Sequence, residues 1–278
     1  MPPRSKYSLG SLFCLILLLT SHPGFAQESE ETPLTAEEIV KRSEEVHPGK
    51  DHASKLTFTI RDPDGHERKE VLRRFWKGYG GKGDLGFKLI VFNEYPPDKK
   101  GNAFLEWAYT PGSGKEPERK FYLKFLNTVN KVPKGSDEGF ASSDLKPSEM
   151  APRPVGMDKH KLVKEEVIES RSYYVIESDP KKTDPSYSYS KVVKWITKND
   201  FLKERLQYYD LKGDLFKEQI ITWKKIKDAW VWEKVVTTNV QTQAQTFLTI
   251  SDIKVDTGLP ADLFTERSMR RGVDAESP

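Results

Sequence analysis

The chain has 278 residues, 45 Lys plus Arg against 42 Asp plus Glu, a formal net charge of +3 and one cysteine, Cys14. Both signs of charge are interspersed, which gives no support to a nucleic-acid binder with its concentrated basic face. Lys99-Lys100, Lys181-Lys182 and Lys224-Lys225 read as solvated strand edges and loops.

The N-terminus reads as a secretory signal. Arg4 and Lys6 form a positive region, Leu9 to Thr20 is apolar, and Gly24-Phe25-Ala26 supplies small residues for cleavage after Ala26. The apolar run is short for a bilayer span, although an uncleaved anchor is the alternative. Cleavage removes Cys14 and, with no acid in residues 1–26, takes the charge from +3 to +1. The mature chain then has no disulfide, thiolate ligand or cysteine nucleophile. It is still long enough to bury a core without such staples.

Thr35 followed by Glu38, with Ile39, Val40 and Val46 near one face, predicts a capped helix from about Thr35, ended by His47-Pro48-Gly49. Thereafter the period is two. Leu56, Phe58 and Ile60 alternate with Thr57 and Thr59, and Asp62-Pro63-Asp64-Gly65 turns the chain into a second strand, Glu67 to Lys77. Further strands are predicted at Phe87–Phe92, Ala103–Tyr109, Lys120–Leu126, Tyr173–Glu177, Lys191–Thr197, Arg205–Tyr209, Phe216–Ile226, Trp230–Thr238 and Thr246–Val255. About ten strands in hairpin order with few helices imply one large, curling antiparallel sheet. The interval from about Lys131 to Met157, rich in proline and glycine, breaks the pattern. Aromatic residues on the strands either fill a core or line an apolar hollow.

Motifs for the common chemistries are missing. His47, His52, His66 and His160 show no helical ligand spacing, so no metal is expected. Gly112-Ser113-Gly114 is a turn rather than a nucleophile elbow, and the glycines at 78, 80, 81 and 83 have the wrong spacing for a phosphate loop. Glu165 and Glu166, adjacent on a strand, point to opposite faces. No cofactor is implied, and an enzyme is the weakest of the readings.

Arg119-Lys120-Phe121-Tyr122-Leu123, then a short basic strand to Lys134, then Gly139-Phe140-Ala141-Ser142-Ser143-Asp144-Leu145, resembles the strand and motif loop of the LolA-like outer membrane lipoprotein-sorting proteins. Similar stretches follow at Tyr174 to Pro180, Tyr189 to Ile196, Tyr208 to Lys217 and Asp262 to Arg267, so the resemblance spans roughly Thr35 to Gly272. Departures fall in the motif loop. Ser142 replaces a glycine, Leu145 an aromatic, and Pro147-Ser148-Glu149 a Tyr-Glu-Asp.

The resemblance implies a mainly β fold with few helices, a single curved antiparallel sheet forming an unclosed β-barrel with a helical or loop lid. It divides the chain into a signal peptide (1–26), a flexible mature start (27–34), a LolA-like β domain (35–272) and a tail (273–278). It further implies a periplasmic carrier that holds acyl chains of lipids or lipidated proteins for transfer toward the outer membrane. An inner-membrane transporter and an outer-membrane acceptor are the implied partners. A non-carrier binding or accessory protein on the same scaffold is the second reading. If the chain is a carrier, the strand periodicity nominates Leu56, Phe58, Ile60, Leu105, Trp107, Phe121, Leu123 and Phe125 as lining, because alternate strand residues share a face. Phe140, Ser143, Asp144 and Leu145 form the motif loop over one opening, with the Asp144 carboxylate expected to accept from backbone N–H groups.

Overall fold

The computed structural model describes residues 33–110, 112–133, 143–182 and 187–272. The expected signal peptide, nearly all of the mature start, the tail and Phe140 of the motif loop lie outside them. Helix α1, Ala36–Glu44, starts where the capping box predicts. Thr35 Oγ1 accepts from the Glu38 N–H at 3.2 Å, and the Glu38 carboxylate accepts from the Thr35 N–H at 2.8 Å.

Strands β1 (Asp51–Arg61), β2 (Glu67–Gly78), β3 (Leu85–Tyr95), β4 (Ala103–Tyr109), β5 (Glu118–Leu123) and β6 (Thr128–Lys131) run in series. A short helix α2, Pro147–Met150, lies in the connection to β7 (Asp158–Ile168). Then follow β8 (Arg171–Pro180), β9 (Lys191–Thr197), β10 (Lys203–Tyr209), β11 (Leu215–Ile226), β12 (Ala229–Asn239), β13 (Gln245–Val255) and helix α3 (Glu266–Arg271).

All thirteen strands form one antiparallel sheet in the order β6-β5-β4-β3-β2-β1-β13-β12-β11-β10-β9-β8-β7. The first and last strands, β1 and β13, pair in the middle of the sheet. Its edges, β6 and β7, are sequence neighbours that do not pair, so the barrel is unclosed. Two of these strands show no apolar alternation of their own: β6 answers to the short basic strand leading to Lys134, and β7 to the strand that holds Glu165 and Glu166. β6 has four residues at the start of the irregular stretch, and the mostly exposed β7 carries charge on both faces, which erases the apolar alternation.

The β1–β13 seam is pinned by Asp51, only 3% exposed. Its carboxylate accepts from the N–H groups of Thr257 (2.8 Å), Gly258 (3.0 Å) and Leu259 (3.2 Å) and from the Thr257 hydroxyl (3.0 Å). Gly49, at φ +88°, fits beneath this seam because a Cβ there would stand 2.6 Å from Val255.

Register assigns the faces. Phe58 sits opposite Leu248, Leu248 opposite Val235 and Val235 opposite Ile221, so these four share one face. Leu56, Ile60, Leu72, Val91, Val192, Leu206, Tyr208 and Ile250 complete its apolar cluster. Beside it α1 packs Ile39 and Val40 on Ile176 and Ile196. This covered side is termed the inner face. On the outer face Phe75, Ile90, Phe92, Leu105 and Tyr122 pack under Leu259, Leu263, Phe264 and Met269 of the C-terminal segment.

Candidate functional site

The connection from β6 to β7 supplies the cover of the inner face. Its described part, from Ser143, lies over the middle of the sheet. The Asp144 N–H donates to Thr246 Oγ1 at 3.3 Å, and the Asp144 carbonyl accepts from Lys217 Nζ at 2.7 Å. Among the described residues, the hydrogen bonds of Asp144 run through its main chain, while residues 134–142 beside it, the expected partners of its carboxylate, lie outside them. The Leu145 side chain is fully buried between Phe58, Tyr189 and their neighbours, and Met150 packs at its side. Ser143 Oγ accepts from the Leu145 N–H at 3.2 Å, which holds the bend that aims Leu145 downward.

Beneath α2 lies a buried polar latch. Lys217 Nζ pairs with Glu149, the side chains being 1% and 2% exposed. The Tyr189 hydroxyl donates to the same Glu149 oxygen, and the second Glu149 oxygen accepts from the Lys146 N–H at 3.2 Å. The Lys217 ammonium stands over the rings of Tyr208 (5.2 Å) and Tyr189 (5.4 Å). Burial lowers its proton affinity, and Glu149 acts against that shift. The Tyr208 hydroxyl, whose pKa burial pushes up, donates to Gln219 Oε1 at 3.3 Å. A buried pair of this kind adds little net stability over apolar residues but makes one register of cover on sheet strongly preferred.

A second charged group lies where α1 meets β8, β9 and β10. Lys203 of β10 pairs with Glu44 of α1 at 2.8 Å, and Arg153 grips Asp158 with both oxygens at 2.8 to 3.0 Å. Tyr187 lies under the Arg153 guanidinium at 3.7 Å. Lys194 of β9, 6% exposed, stands opposite Ile176 and Leu206 on the same inner face.

The nominated lining residues divide between the faces. Leu56, Phe58 and Ile60 lie in the inner cluster, fully or nearly fully buried. Phe121, opposite Phe104, continues that face toward the β6 edge, with Leu123 two residues on. Leu105 and Trp107 lie on the outer face instead, where the Trp107 indole N–H donates to the Phe264 carbonyl at 3.0 Å. Phe125 stands in the β5–β6 turn, 97% exposed. For Leu105 and Trp107 the reason is a one-residue parity step between strands, which alternation within each strand cannot reveal, and for Phe125 it is that β5 ends at Leu123 rather than at Leu126.

The residues that sequence reasoning missed are Lys217, Glu149, Tyr189 and Lys194. A lysine interrupting the apolar run Val192-Val193-Lys194-Trp195-Ile196 was the available signal. Asp62, Asp64 and His66 do converge in the β1–β2 turn, within reach of one ion. There Asp62 accepts from the N–H groups of Asp64 and His66, as a hairpin turn requires. Elsewhere, a groove of about 870 Å³ runs between Arg171, Tyr173, Glu204, Arg205, Trp223 and Trp230. No helix among the described residues is long and apolar enough to cross a membrane.

Solved structures share this architecture. A DUF1329 family protein from Desulfovibrio piger superposes with a TM-score of 0.75 at 23% identity, covering 84% of this chain and 97% of its own. A protein of Vibrio parahaemolyticus described as an outer membrane lipoprotein-sorting domain gives 0.72 at 24% identity, over 85% and 98% of the two chains. A LolA superfamily protein from Nitrosomonas europaea gives 0.63 at 20% identity, over 85% and 100%. No curated protein matches the sequence. A family model described as "Uncharacterized protein" matches residues 87–271, more than half of the chain. The chain therefore belongs to that family, and its fold is the LolA-like fold of the lipoprotein-sorting structures.

Proposed function

We propose that this chain is a periplasmic, non-enzymatic carrier that holds acyl chains of a lipid or lipidated protein against its inner face for transfer toward the outer membrane. The observation that carries this reading is how the inner face is closed. The sheet does not close on itself; a separate segment seats Leu145 in the apolar cluster and is latched through Lys217 and Glu149. Release of that segment exposes Leu56, Phe58, Ile60 and the facing β11 to β13 residues as an apolar trough. Each methylene buried there contributes about 0.8 kcal/mol. The leader sequence and the lipoprotein-sorting neighbour support export and cargo class. An inner-membrane transporter and an outer-membrane acceptor are the partners such a carrier requires.

A reversible cross-link tests the reading. In the mature chain, Asp144→Cys with Thr246→Cys joins cover to sheet where the Asp144 backbone N–H lies 3.3 Å from Thr246 Oγ1. Oxidation should abolish binding of a fluorescent acyl probe, and reduction should restore it. Mass spectrometry of organic extracts from protein purified out of native envelope should show an acyl lipid. Probe binding that ignores the cross-link would refute a movable cover. No probe binding in either state would favour the second reading, a non-carrier accessory protein with a permanently filled core. The full burial of Phe58 and Leu145 is the observation on its side.

A further inference from the structure

Around Lys194 the inner face holds three cations and two carboxylates. Each carboxylate is already engaged, Glu44 by Lys203 and Asp158 by Arg153. Lys194 makes no hydrogen bond or ion pair among the described residues, although it is 6% exposed and lies between Ile176 and Leu206. Ile176 belongs to the apolar cluster under α1 and Leu206 to the one under the cover, so Lys194 marks the seam between them. Burying an ammonium without a partner is strongly unfavourable, and nothing in the packing here requires a charge, since Ile and Val occupy the adjacent inner positions.

We infer that Lys194 recognises the anionic end group, a carboxylate or phosphate ester, of an amphiphile whose apolar chain lies along the inner face. The inference rests on the carrier reading and narrows its cargo. A chain extending from the seam toward Tyr208, Leu206 and Phe58 would leave its head beside Lys194, the cation of this group of three that has no carboxylate partner among the described residues. Glu44 of α1 and Asp158 of β7 hold Lys194 charged, whereas burial, Lys203 of β10 and Arg153 oppose the charge and bring its pKa down to about 8. Head-group preference should accordingly fade above that pH.

The experiment is calorimetric titration of the mature protein at pH 7 with dodecanoate, dodecanol, dodecyl phosphate and inorganic phosphate. Wild type should bind dodecanoate and dodecyl phosphate at least tenfold more tightly than dodecanol. Lys194→Met should bind all three alike, with dodecanol affinity unchanged, and Lys194→Arg should recover the preference. Lys194→Gln makes the same comparison if the Met variant does not fold. A wild type without preference, or a Met variant that keeps it, overturns the inference and leaves the carrier reading standing. Inorganic phosphate bound as tightly as dodecyl phosphate would mark a small-anion site and overturn the amphiphile. Failure of wild type to bind any dodecyl compound removes the carrier reading and this inference with it.

Discussion

The two faces of the sheet are covered in chemically different ways. On the outer face the C-terminal segment buries Leu259, Phe264 and Met269 completely and Leu263 almost so, against Phe75, Ile90 and Leu105. On the inner face, the described cover contributes Leu145 and part of Met150 to the apolar cluster and is otherwise held by the Lys217–Glu149–Tyr189 latch and by the Asp144 main chain, bonded to the Thr246 hydroxyl of β13 and to Lys217 of β11. Apolar burial has no substitute in water, so the outer cover belongs to the folded state. Polar groups exchange protein partners for water at small net change, so an element held mainly by them can leave and return.

The strongest way to break this comparison is on the outer face. Phe264→Ala should lower global stability by about 3–5 kcal/mol, read as a shift of the urea midpoint with little change in slope. A loss below about 1 kcal/mol would show that the C-terminal cover is no firmer than the inner one.

On the inner face, Lys217→Met strands the Glu149 carboxylate in a buried position. It should either cost about 3–5 kcal/mol or release the cover, visible as faster amide exchange at residues 143–150. The double variant Lys217→Met with Glu149→Leu should regain most of that loss. A double variant as unstable as the single one would mean that the pair itself, rather than the orphaned charge, holds the cover.

Lys194 gives a pH signature. Its pKa falls from about 10.4 in the unfolded chain to about 8 in the fold. Between those values the unfolded state binds more protons, so stability rises with pH through the window, and below pH 8 the full burial penalty is present. Subtracting the Lys194→Met profile from that of wild type should isolate a rise on the order of 3 kcal/mol between about pH 8 and about pH 10.5. A flat difference profile would place Lys194 in water. The smallest expected effect is Thr35→Ala, about 1 kcal/mol from loss of the α1 capping box. It should loosen α1 on Ile176 and Ile196 without altering acyl-probe binding.

The predicted strands survive almost unchanged in the structure because each is a local pattern. Leu56, Phe58 and Ile60 alternate with polar residues whatever lies across from them, and Asp62-Pro63-Asp64-Gly65 turns the chain by its own backbone preferences. β7 is marked in the sequence only by Glu165 and Glu166, because lysines and glutamates occur on both faces of this exposed edge. The short α3 escaped because Phe264 and Met269 acquire their meaning from Phe75 and Ile90, far away in sequence.

What the sequence determined by itself was the periodicity: serial antiparallel strands, a capped first helix and one irregular crossing near residues 131–157. What only the tertiary structure decided was which parity of each strand faces inward. A one-residue step in register exchanges the faces, and that step is set by pairing between distant strands. It sent Leu105 and Trp107 outward while Leu56 and Phe58 stayed within. Tertiary structure also decided which charges meet. Glu149 and Lys217 are 68 residues apart, and Glu44 and Lys203 are 159 apart. Lys194 is left over only once those pairings are made, because a charge has no partner or lack of one until the chain has folded around it.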